Sequence, residues 1–161
     1  MNPTLRIYRL SGIALMTMLL AACQPRVVYS EFHEMPLSGW HEDSVLQYAA
    51  DITDSLAMYD ILFTVRHNAQ YPYQNLWLFV GEEMADGTMR YDTVECYLAD
   101  DRGRWLGSGM RTYELPMLYE TGYHFVRGGK HIFTLQQGMR EECLRGITDV
   151  GLQIVESHGE E

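Results

Sequence analysis

The sequence predicts an all-β protein that folds as a single jelly-roll-like β-sandwich of about eight strands, with one short helix near the C-terminus. Three observations support this prediction. Short segments in which apolar and polar residues alternate recur along the chain, most clearly in residues 59–68. Residues that favour turns, namely Gly, Pro and Asp, separate these segments. The 161 residues can supply one substantial core, and the sequence contains neither an internal repeat nor a low-complexity stretch.

The N-terminal stretch has the pattern of a lipoprotein signal peptide. Arg6 and Arg9 precede a short apolar run that ends in two alanines and then Cys23. The run is shorter than the ~20 residues of a transmembrane helix, and a secretory signal followed by an unrelated cysteine is the other alternative. We therefore predict a signal peptide over residues 1–22 and lipid attachment at Cys23. Several acyl chains, palmitate among them, would then anchor the protein in the bilayer.

Composition excludes some partners. Loss of the signal peptide removes two arginines and changes the formal net charge from −10 to −12, and Lys130 is the only lysine. Nucleic acid is therefore not an expected partner, because phosphate backbones are bound by clustered Lys and Arg. Direct binding to anionic lipid is not expected either. Cys96 and Cys143 could form a disulfide in the periplasm or remain free, and we favour free thiols because two cysteines do not make a disulfide framework.

The domain is expected to begin a few residues after the lipidated cysteine. Residues 23–31 have no clear hydrophobic period and contain Pro25, which predicts a short tether. The first strand is expected within residues 29–35, and Pro36 would end it. The sandwich as a whole is assigned to residues 32–156.

Most of the remaining elements are strands. Residues 42–57 fit either a helix or a strand, and their neighbours favour a strand. Residues 59–68 alternate clearly, with Tyr59, Ile61 and Phe63 on the apolar face. Asp86-Gly87 predicts a hairpin loop. Further strands are predicted over residues 76–80, 93–99, 105–109 and 110–119. Residues 76–80 look buried on both faces. Residues 105–109 have a bulge or bend at their glycines, and residues 110–119 are interrupted at Pro116.

The last third of the chain is expected to contain a hairpin, a helix and a final strand. Gly128-Gly129 lies between residues 123–126 and 132–135, which predicts that these two segments pair. Residues 139–145 are the one stretch with a helical pattern, and Gly146 would end that helix. Residues 147–155 close the sandwich, and residues 157–161 are expected to be a frayed polar tail.

Catalytic and metal-binding patterns are weak throughout. Ser108 lies between two glycines without the spacing of a nucleophile elbow. Adjacent carboxylates such as Asp100 and Asp101 fall on turns, where solvent exposure is the usual situation. His124 and His131 could face each other across the predicted hairpin, but packing is the more common role of such residues. We therefore predict no enzymatic activity, no metal and no cofactor other than the lipid at Cys23.

Aromatic side chains near loops are the better candidates for binding. Tyr71 and Tyr73 flank Pro72 at a turn and are expected to be exposed, and Trp77 follows closely. Exposed rings on a sandwich stack on sugars or anchor a protein partner, although core packing uses most aromatics in a small β domain. Tyr71, Tyr73 and Trp77 are therefore the candidate residues for contact with a partner or a glycan. Trp40 and Trp105 also stand at or beside predicted loops.

Several stretches, taken together in order and spacing, resemble the GldH family of gliding-motility lipoproteins. Besides the segment that ends at Cys23, these stretches are Tyr59-Asp60-Ile61, Arg66-His67-Asn68, residues 71–78, Asp92-Thr93-Val94-Glu95, Leu98-Ala99, residues 103–109, Met139-Arg140, Leu144-Arg145-Gly146-Ile147 and Asp149-Val150-Gly151-Leu152. The resemblance implies a cell-envelope lipoprotein of Gram-negative bacteria that glide, or of their non-gliding relatives. It also implies association with the gliding apparatus and the overlapping type IX secretion machinery, and it supplies no catalytic residue.

Two functional hypotheses follow. The first is an anchored structural or interaction component that binds other envelope proteins of the gliding or secretion machinery. The second is a glycan-binding envelope lipoprotein that uses the loop aromatics. Gln24, rather than aspartate, follows the lipidated cysteine, which favours the outer membrane, and the absence of acidic residues in 24–28 favours a domain that faces the periplasm.

Overall fold

The computed structural model describes residues 26–157, which form two antiparallel β-sheets packed face to face. Within these residues there is no helix, and ten strands follow one another. The strands are β1 (Val27–Glu34), β2 (Trp40–His41), β3 (Leu46–Ile52), β4 (Tyr59–Asn68), β5 (Asn75–Glu83), β6 (Met89–Tyr97), β7 (Thr112–Tyr123), β8 (Gly129–Gln137), β9 (Cys143–Leu144) and β10 (Ile147–Glu156).

The strand order confirms the predicted fold class. One sheet has the order β1-β10-β4-β7, the other has the order β3-β8-β5-β6, and the two-residue strands β2 and β9 pair separately. When only the eight long strands are counted in chain order, the sheets read 1-8-3-6 and 2-7-4-5, which is the strand order of a jelly roll. The predicted all-β, jelly-roll-like sandwich of about eight strands is therefore confirmed.

The core forms because apolar residues occupy alternate positions of the central strands. In β4, Tyr59, Ile61, Phe63, Val65 and His67 are all buried, as the alternation predicts. β10 buries its apolar residues against the same layer. The opposite sheet supplies the facing residues, including Tyr48, Ala50, Ile52, Leu76, Leu78, Val80, Phe133 and Leu135.

A buried hydrogen bond between Tyr48 and Val150 joins the two sheets. The Tyr48 hydroxyl on β3 donates to the carbonyl oxygen of Val150 on β10 over 2.8 Å. Burial raises the pKa of Tyr48, so this hydroxyl keeps its proton and remains a donor. The ring of His33 on β1 meets the Tyr48 ring edge-on at 4.8 Å. These contacts fix how the two layers sit on each other.

His67 lies inside a cluster of aromatic rings at the end of β4. Its ring stacks on Tyr113 at 5.4 Å and meets the edge of Trp105 at 4.5 Å. Desolvation by burial lowers the pKa of His67, although a contact with the Asn68 carbonyl opposes this slightly. His67 Nε2 is buried and has no hydrogen-bond partner among residues 26–157. Trp105 is therefore a partly buried packing residue, and Trp40 is fully buried.

The loops gather at two ends of the sandwich. The end where β1 starts, called here the Val27 end, holds residues 53–58, 84–88 and 124–128, because Val27 pairs with Val155 and Ile52 pairs with Gly129. The opposite end, called here the Trp40 end, holds the short β2–β9 ribbon and residues 35–45, 69–74, 98–111 and 138–146.

The predicted helix over residues 139–145 is wrong. The segment is irregular with bends and includes the two-residue strand β9, where Leu144 pairs with Trp40. Its backbone is held by contacts from elsewhere: the Glu42 amide donates to the Glu142 carbonyl over 2.8 Å. A helix of two turns has little stability of its own, and these tertiary hydrogen bonds replace it.

The predicted hairpin around Gly128-Gly129 is also wrong. β7 pairs with β4 in one sheet, whereas β8 pairs with β3 and β5 in the other. The connection crosses between the layers because Phe125 is buried between them, where its ring meets Tyr59 at 5.3 Å. His124 and His131 consequently do not face each other: His124 is exposed, and His131 is buried beside Glu82, with 3.5 Å between Nδ1 and Oε1.

Several predicted boundaries shift. β1 begins at Val27, inside the predicted tether of residues 23–31, because it pairs with β10 along its whole length. Residues 105–109 are not a strand and make only the isolated bridges Ala99–Trp105 and Ser108–Glu114. Pro116 does not interrupt β7, because β7 is an edge strand and its outer side needs no ladder hydrogen bond.

Other assignments agree with the sequence. Part of residues 42–57 forms β3, the predicted strands 59–68 and 147–155 match β4 and β10, and the Asp86-Gly87 loop joins β5 to β6 as a hairpin. The Ser157 amide donates to the Met58 carbonyl over 2.8 Å. The signal peptide, Cys23 and the tail after Ser157 lie outside the described residues. Within residues 26–157 we find no helix of the length and apolarity that crossing a bilayer requires.

Candidate functional site

Tyr71, predicted to be exposed, is buried. Its side chain is 2% exposed, and its hydroxyl donates to the Asn75 carbonyl over 2.8 Å. The Tyr71 amide closes a turn onto the Asn68 carbonyl, which directs the ring back under the loop towards His67. Tyr71 therefore stabilises the loop and is removed from the set of candidate contact residues.

Tyr73 and Trp77, by contrast, lie together at the surface. They line a groove of about 640 Å³ near the Trp40 end, and Phe79 continues the same wall along β5. Side chains alternate along a strand, so residues 77 and 79 point outward while Leu76, Leu78 and Val80 point into the core. Trp77 is 37% exposed, which leaves part of its ring free for a ligand.

The opposite wall of the groove is residues 138–141. Gly138 donates its amide hydrogen to the Trp77 carbonyl over 2.7 Å, and the Trp77 amide donates to Met139 Sδ over 3.4 Å. A Cβ at position 138 would approach the Phe79 ring to 3.2 Å, so glycine permits this close packing. Gln137 Nε2 donates to the Glu141 carbonyl over 2.8 Å and holds the segment in place. The groove is thus a pre-formed feature.

Acidic groups border the groove. The Tyr73 hydroxyl donates to Glu141 Oε1 over 2.6 Å, and this hydrogen bond raises the pKa of Tyr73. Asn75 Nδ2 donates to Glu95 Oε1 over 2.6 Å. Arg140 is exposed on the same rim and supplies a positive charge. The site therefore combines apolar rings with hydrogen-bonded carboxylates and one exposed cation.

The outward surface continues beyond the groove across β5 and β6. A second hollow of about 340 Å³ lies beside Phe79 and is bordered by Tyr91 and Thr93. Gly81 leaves room there, since a Cβ at this position would lie 2.4 Å from Thr134 Oγ1. Trp77, Phe79, Tyr91 and Thr93 together form what we call the β5–β6 face.

Phe79 and Tyr91 were missed by the reasoning from sequence. Residues 76–80 are nearly all apolar and look like a strand buried on both faces, which hides the outward position of Phe79. The neighbouring strand of the hairpin could have indicated this position. Its residues Tyr91 and Thr93 pair with Gly81 and Phe79, respectively, and carry polar groups on the same face.

The arrangement suits recognition by contact. Aromatic rings, a thioether and amide groups bind ligands through apolar contact, stacking and hydrogen bonds. In residues 26–157, no group of three or more His, Cys, Asp or Glu side chains is placed to hold a metal ion. Cys96 and Cys143 are both free, as favoured from the sequence, and burial raises the pKa of the Cys96 thiol to about 12.

The chain is similar to proteins of one family. A family model described as "GldH lipoprotein" matches residues 27–154. The gliding motility lipoprotein GldH of Flavobacterium johnsoniae is 34% identical over 153 residues, covering 89% of this chain and 94% of that protein. The gliding motility lipoprotein GldH homolog of Christiangramia forsetii is 33% identical over 147 residues, covering 86% and 90%.

Solved structures give weaker likenesses. The Yersinia pseudotuberculosis-derived mitogen matches with 10% identity and a TM-score of 0.38, covering 86% of this chain and 91% of that chain. A family GH115 4-O-methyl-α-glucuronidase matches with 7% identity and a TM-score of 0.44, covering 84% of this chain and 18% of that chain. At these TM-scores, neither likeness carries information about function.

Proposed function

Because the chain belongs to the GldH lipoprotein family, we propose that it is a lipid-anchored structural or interaction component of the gliding-motility and type IX secretion machinery. The observation that carries this proposal is the family match over residues 27–154, which spans the whole sandwich from β1 to β10. The anchor is the lipidated Cys23. The expected place is the outer membrane, with the domain facing the periplasm.

The groove is the surface proposed to bind a protein of that machinery. Trp, Tyr, Phe and Met are enriched in protein interfaces, and a half-buried ring in a groove is the usual form of an energetically dominant contact. Trp77 has this form, with Phe79 beside it and Met139 on the opposite wall. A protein partner is favoured over nucleic acid because carboxylates border the groove.

Deletion of the gene tests the process. We expect the deletion strain to lose gliding or type IX export, and we expect the unaltered gene, but not the Cys23→Ala variant, to restore it. Protease added to intact cells should leave the domain uncut if it faces the periplasm. Unchanged motility and export in the deletion strain would contradict the proposal.

Cross-linking from membranes tests the groove. The Trp77→Ala variant is expected to lose most of the cross-linked partner, since truncating a central aromatic contact commonly weakens binding about 30-fold or more. Leu118→Ala is the matched control, because Leu118 is an exposed apolar side chain on the other sheet. Equal recovery of the partner with both variants would rule out the groove as the contact surface.

Glycan binding is the second candidate. Trp77 and Phe79 share one outward face, and the polar side chains of Asn75 and Thr93 line the same groove, which is a combination that sugars can use. The burial of Tyr71 weakens this candidate because it removes one of the three expected rings. Calorimetry with cell-envelope oligosaccharides should show binding that the Trp77→Ala variant lacks, and an absence of heat with every sugar would remove the candidate.

A further inference from the structure

The proposed anchor brings one end of the sandwich to the bilayer. This inference rests on the lipid attachment at Cys23 proposed above. Four Cα steps separate Cys23 from Val27, and at ~3.6 Å each they span at most about 14 Å. β4 has ten residues and is therefore about 34 Å long. The Val27 end must consequently lie close to the lipid, while the Trp40 end is distant in an upright domain.

Three large apolar side chains in the loops of the Val27 end are exposed, in addition to Val27 and Met89 on the neighbouring strands. Leu56 is 87% exposed, Val126 is 75% exposed, and Met58 is more than half exposed. Leu56 and Met58 belong to the loop between β3 and β4, and Val126 belongs to the crossover between β7 and β8. Both loops come from the same end of the sandwich, because β4 pairs with β7 through Tyr59 and Tyr123.

These loops are held in place by hydrogen bonds and packing. The Leu56 amide donates to Asp54 Oδ1 over 2.8 Å, and the Met58 carbonyl accepts from the Ser157 amide over 2.8 Å. Val126 follows Phe125, which is buried in the core. The apolar side chains are therefore presented on pre-formed loops, so ordering them at a membrane costs little conformational entropy.

We propose that Leu56, Met58 and Val126 insert into the interfacial layer of the anchoring bilayer and hold the sandwich upright on the membrane. The occupant of this surface is the lipid itself, because the tether is too short to place any larger partner between the Val27 end and the bilayer. The inserted side chains and the acyl chains then act as separate points of attachment, which restricts the tilt of the domain.

The contact is apolar in character. The cations at this end, Arg26, Arg127 and Lys130, are matched by the carboxylates of Asp51, Asp54, Asp86 and Glu156, so the local charge gives no net attraction to anionic headgroups. Zwitterionic lipid is therefore sufficient. In this orientation the groove lies near the Trp40 end, about the length of a long strand away from the bilayer, where it faces the periplasmic space.

Depth-dependent fluorescence quenching tests the orientation. The experiment uses the lipidated chain with Cys143→Ser, which removes the partly exposed thiol. A fluorophore is attached to a new cysteine, introduced as Leu56→Cys or Val126→Cys. Leu37→Cys and Met110→Cys are the matched controls, since these apolar residues are 107% and 95% exposed at the Trp40 end. In phosphatidylcholine vesicles that contain a doxyl-labelled lipid, we expect quenching at positions 56 and 126 to exceed quenching at 37 and 110 by about threefold or more.

The other outcomes separate the two proposals. Mass spectrometry of the mature protein reports the lipid, and an unmodified Cys23 would overturn the anchor and with it the orientation. A lipidated protein with equal quenching at all four positions would overturn only the upright orientation, because a domain lying on its side brings position 37 to the lipid as well. A requirement for anionic lipid would overturn the apolar contact.

Discussion

His67 is a buried side chain whose surroundings disfavour its protonated form. Its ring lies among Tyr113, Trp105 and Tyr71, and no carboxylate of residues 26–157 forms an ion pair with it. Desolvation lowers the pKa of His67 in the folded protein. The folded state therefore resists a proton that the unfolded state accepts as soon as the pH falls below about 6.5.

We predict that stability decreases as the pH falls from about 7.5 to about 5.5. Below the pKa of His67 in the unfolded state, the unfolded protein binds up to one more proton than the folded protein. Each further decrease of one pH unit then lowers the free energy of unfolding by at most about 1.4 kcal/mol. Urea denaturation should show a shallower pH dependence for His67→Phe, which keeps an aromatic ring and removes the titrating group. The exposed His124→Gln serves as the control, and equal pH dependence in all three proteins would contradict the prediction.

The two thiols should react differently. Cys96 is buried and its pKa is raised to about 12, whereas Cys143 is only partly buried and its Sγ donates to the Ser38 carbonyl. With Cys23 lipidated or replaced by Ser, an aromatic disulfide reagent at neutral pH should titrate one thiol in the native protein and two in denaturant, and Cys143→Ser should abolish the native reaction. No reactive thiol in denaturant would indicate a disulfide instead.

At the scale of elements, the segment from Gly138 to Gly146 shows how tertiary contacts replace a local preference. Gly146 has φ of +88°, and a Cβ there would lie 2.2 Å from the amide nitrogen of Tyr71. Its carbonyl accepts from the Asn68 amide over 2.8 Å. The turn before β10 is thus packed against the loop that carries Tyr71, and glycine is required for that contact.

Gly146→Ala is predicted to destabilise the protein by about 3 kcal/mol or more, because backbone atoms must move apart. Gly87→Ala is the matched control: its φ is +83°, and nothing lies within 4 Å of the added Cβ. That variant bears only the left-handed backbone penalty of about 1 kcal/mol. Urea denaturation measures both, and equal losses would show that the close approach to Tyr71 has no effect.

The elements that sequence alone predicts are those whose pattern is local. β4 alternates along its length, β10 alternates in its apolar residues from Val150 to Ile154, and Asp86-Gly87 has the composition of a hairpin turn. The crossover at Phe125 was not predictable in this way, because whether neighbouring strands pair or separate into two sheets depends on where that ring is buried. Trp77 was a candidate contact within residues 76–80, which look buried on both faces in the sequence, but its ring lies at the surface. Tyr71 was expected to be exposed, and its burial follows from the distant contact with Gly146.

At the scale of the molecule, the jelly-roll order brings the first and last long strands side by side. β1 and β10 are antiparallel, so the chain enters and leaves the sandwich at the Val27 end. The groove lies towards the opposite end, between β5 and the segment before β9. The part of the chain next to the proposed anchor and the part proposed to bind a partner are thereby separated by the length of the strands.

We predict that the domain resists pulling differently in two directions. Force applied between the two termini opens β1 from β10 one pair at a time, because both attachments are at the same end. Force applied between the N-terminus and position 110, through Met110→Cys, shears the ladder along its length and loads its hydrogen bonds together. Single-molecule pulling should give a rupture force at least about twofold higher in the second geometry, and equal forces would contradict the prediction.

The pairing of β1 with β10 therefore has a mechanical consequence for a protein held by its N-terminus. If a partner pulls on the Trp40 end of an anchored domain, the pulling force and the resistance of the membrane anchor act in opposite directions along the strand axis. The hydrogen bonds between β1 and β10 then bear the tension simultaneously. In a domain anchored as proposed, the strand that begins beside the tether would carry the force between the partner and the membrane.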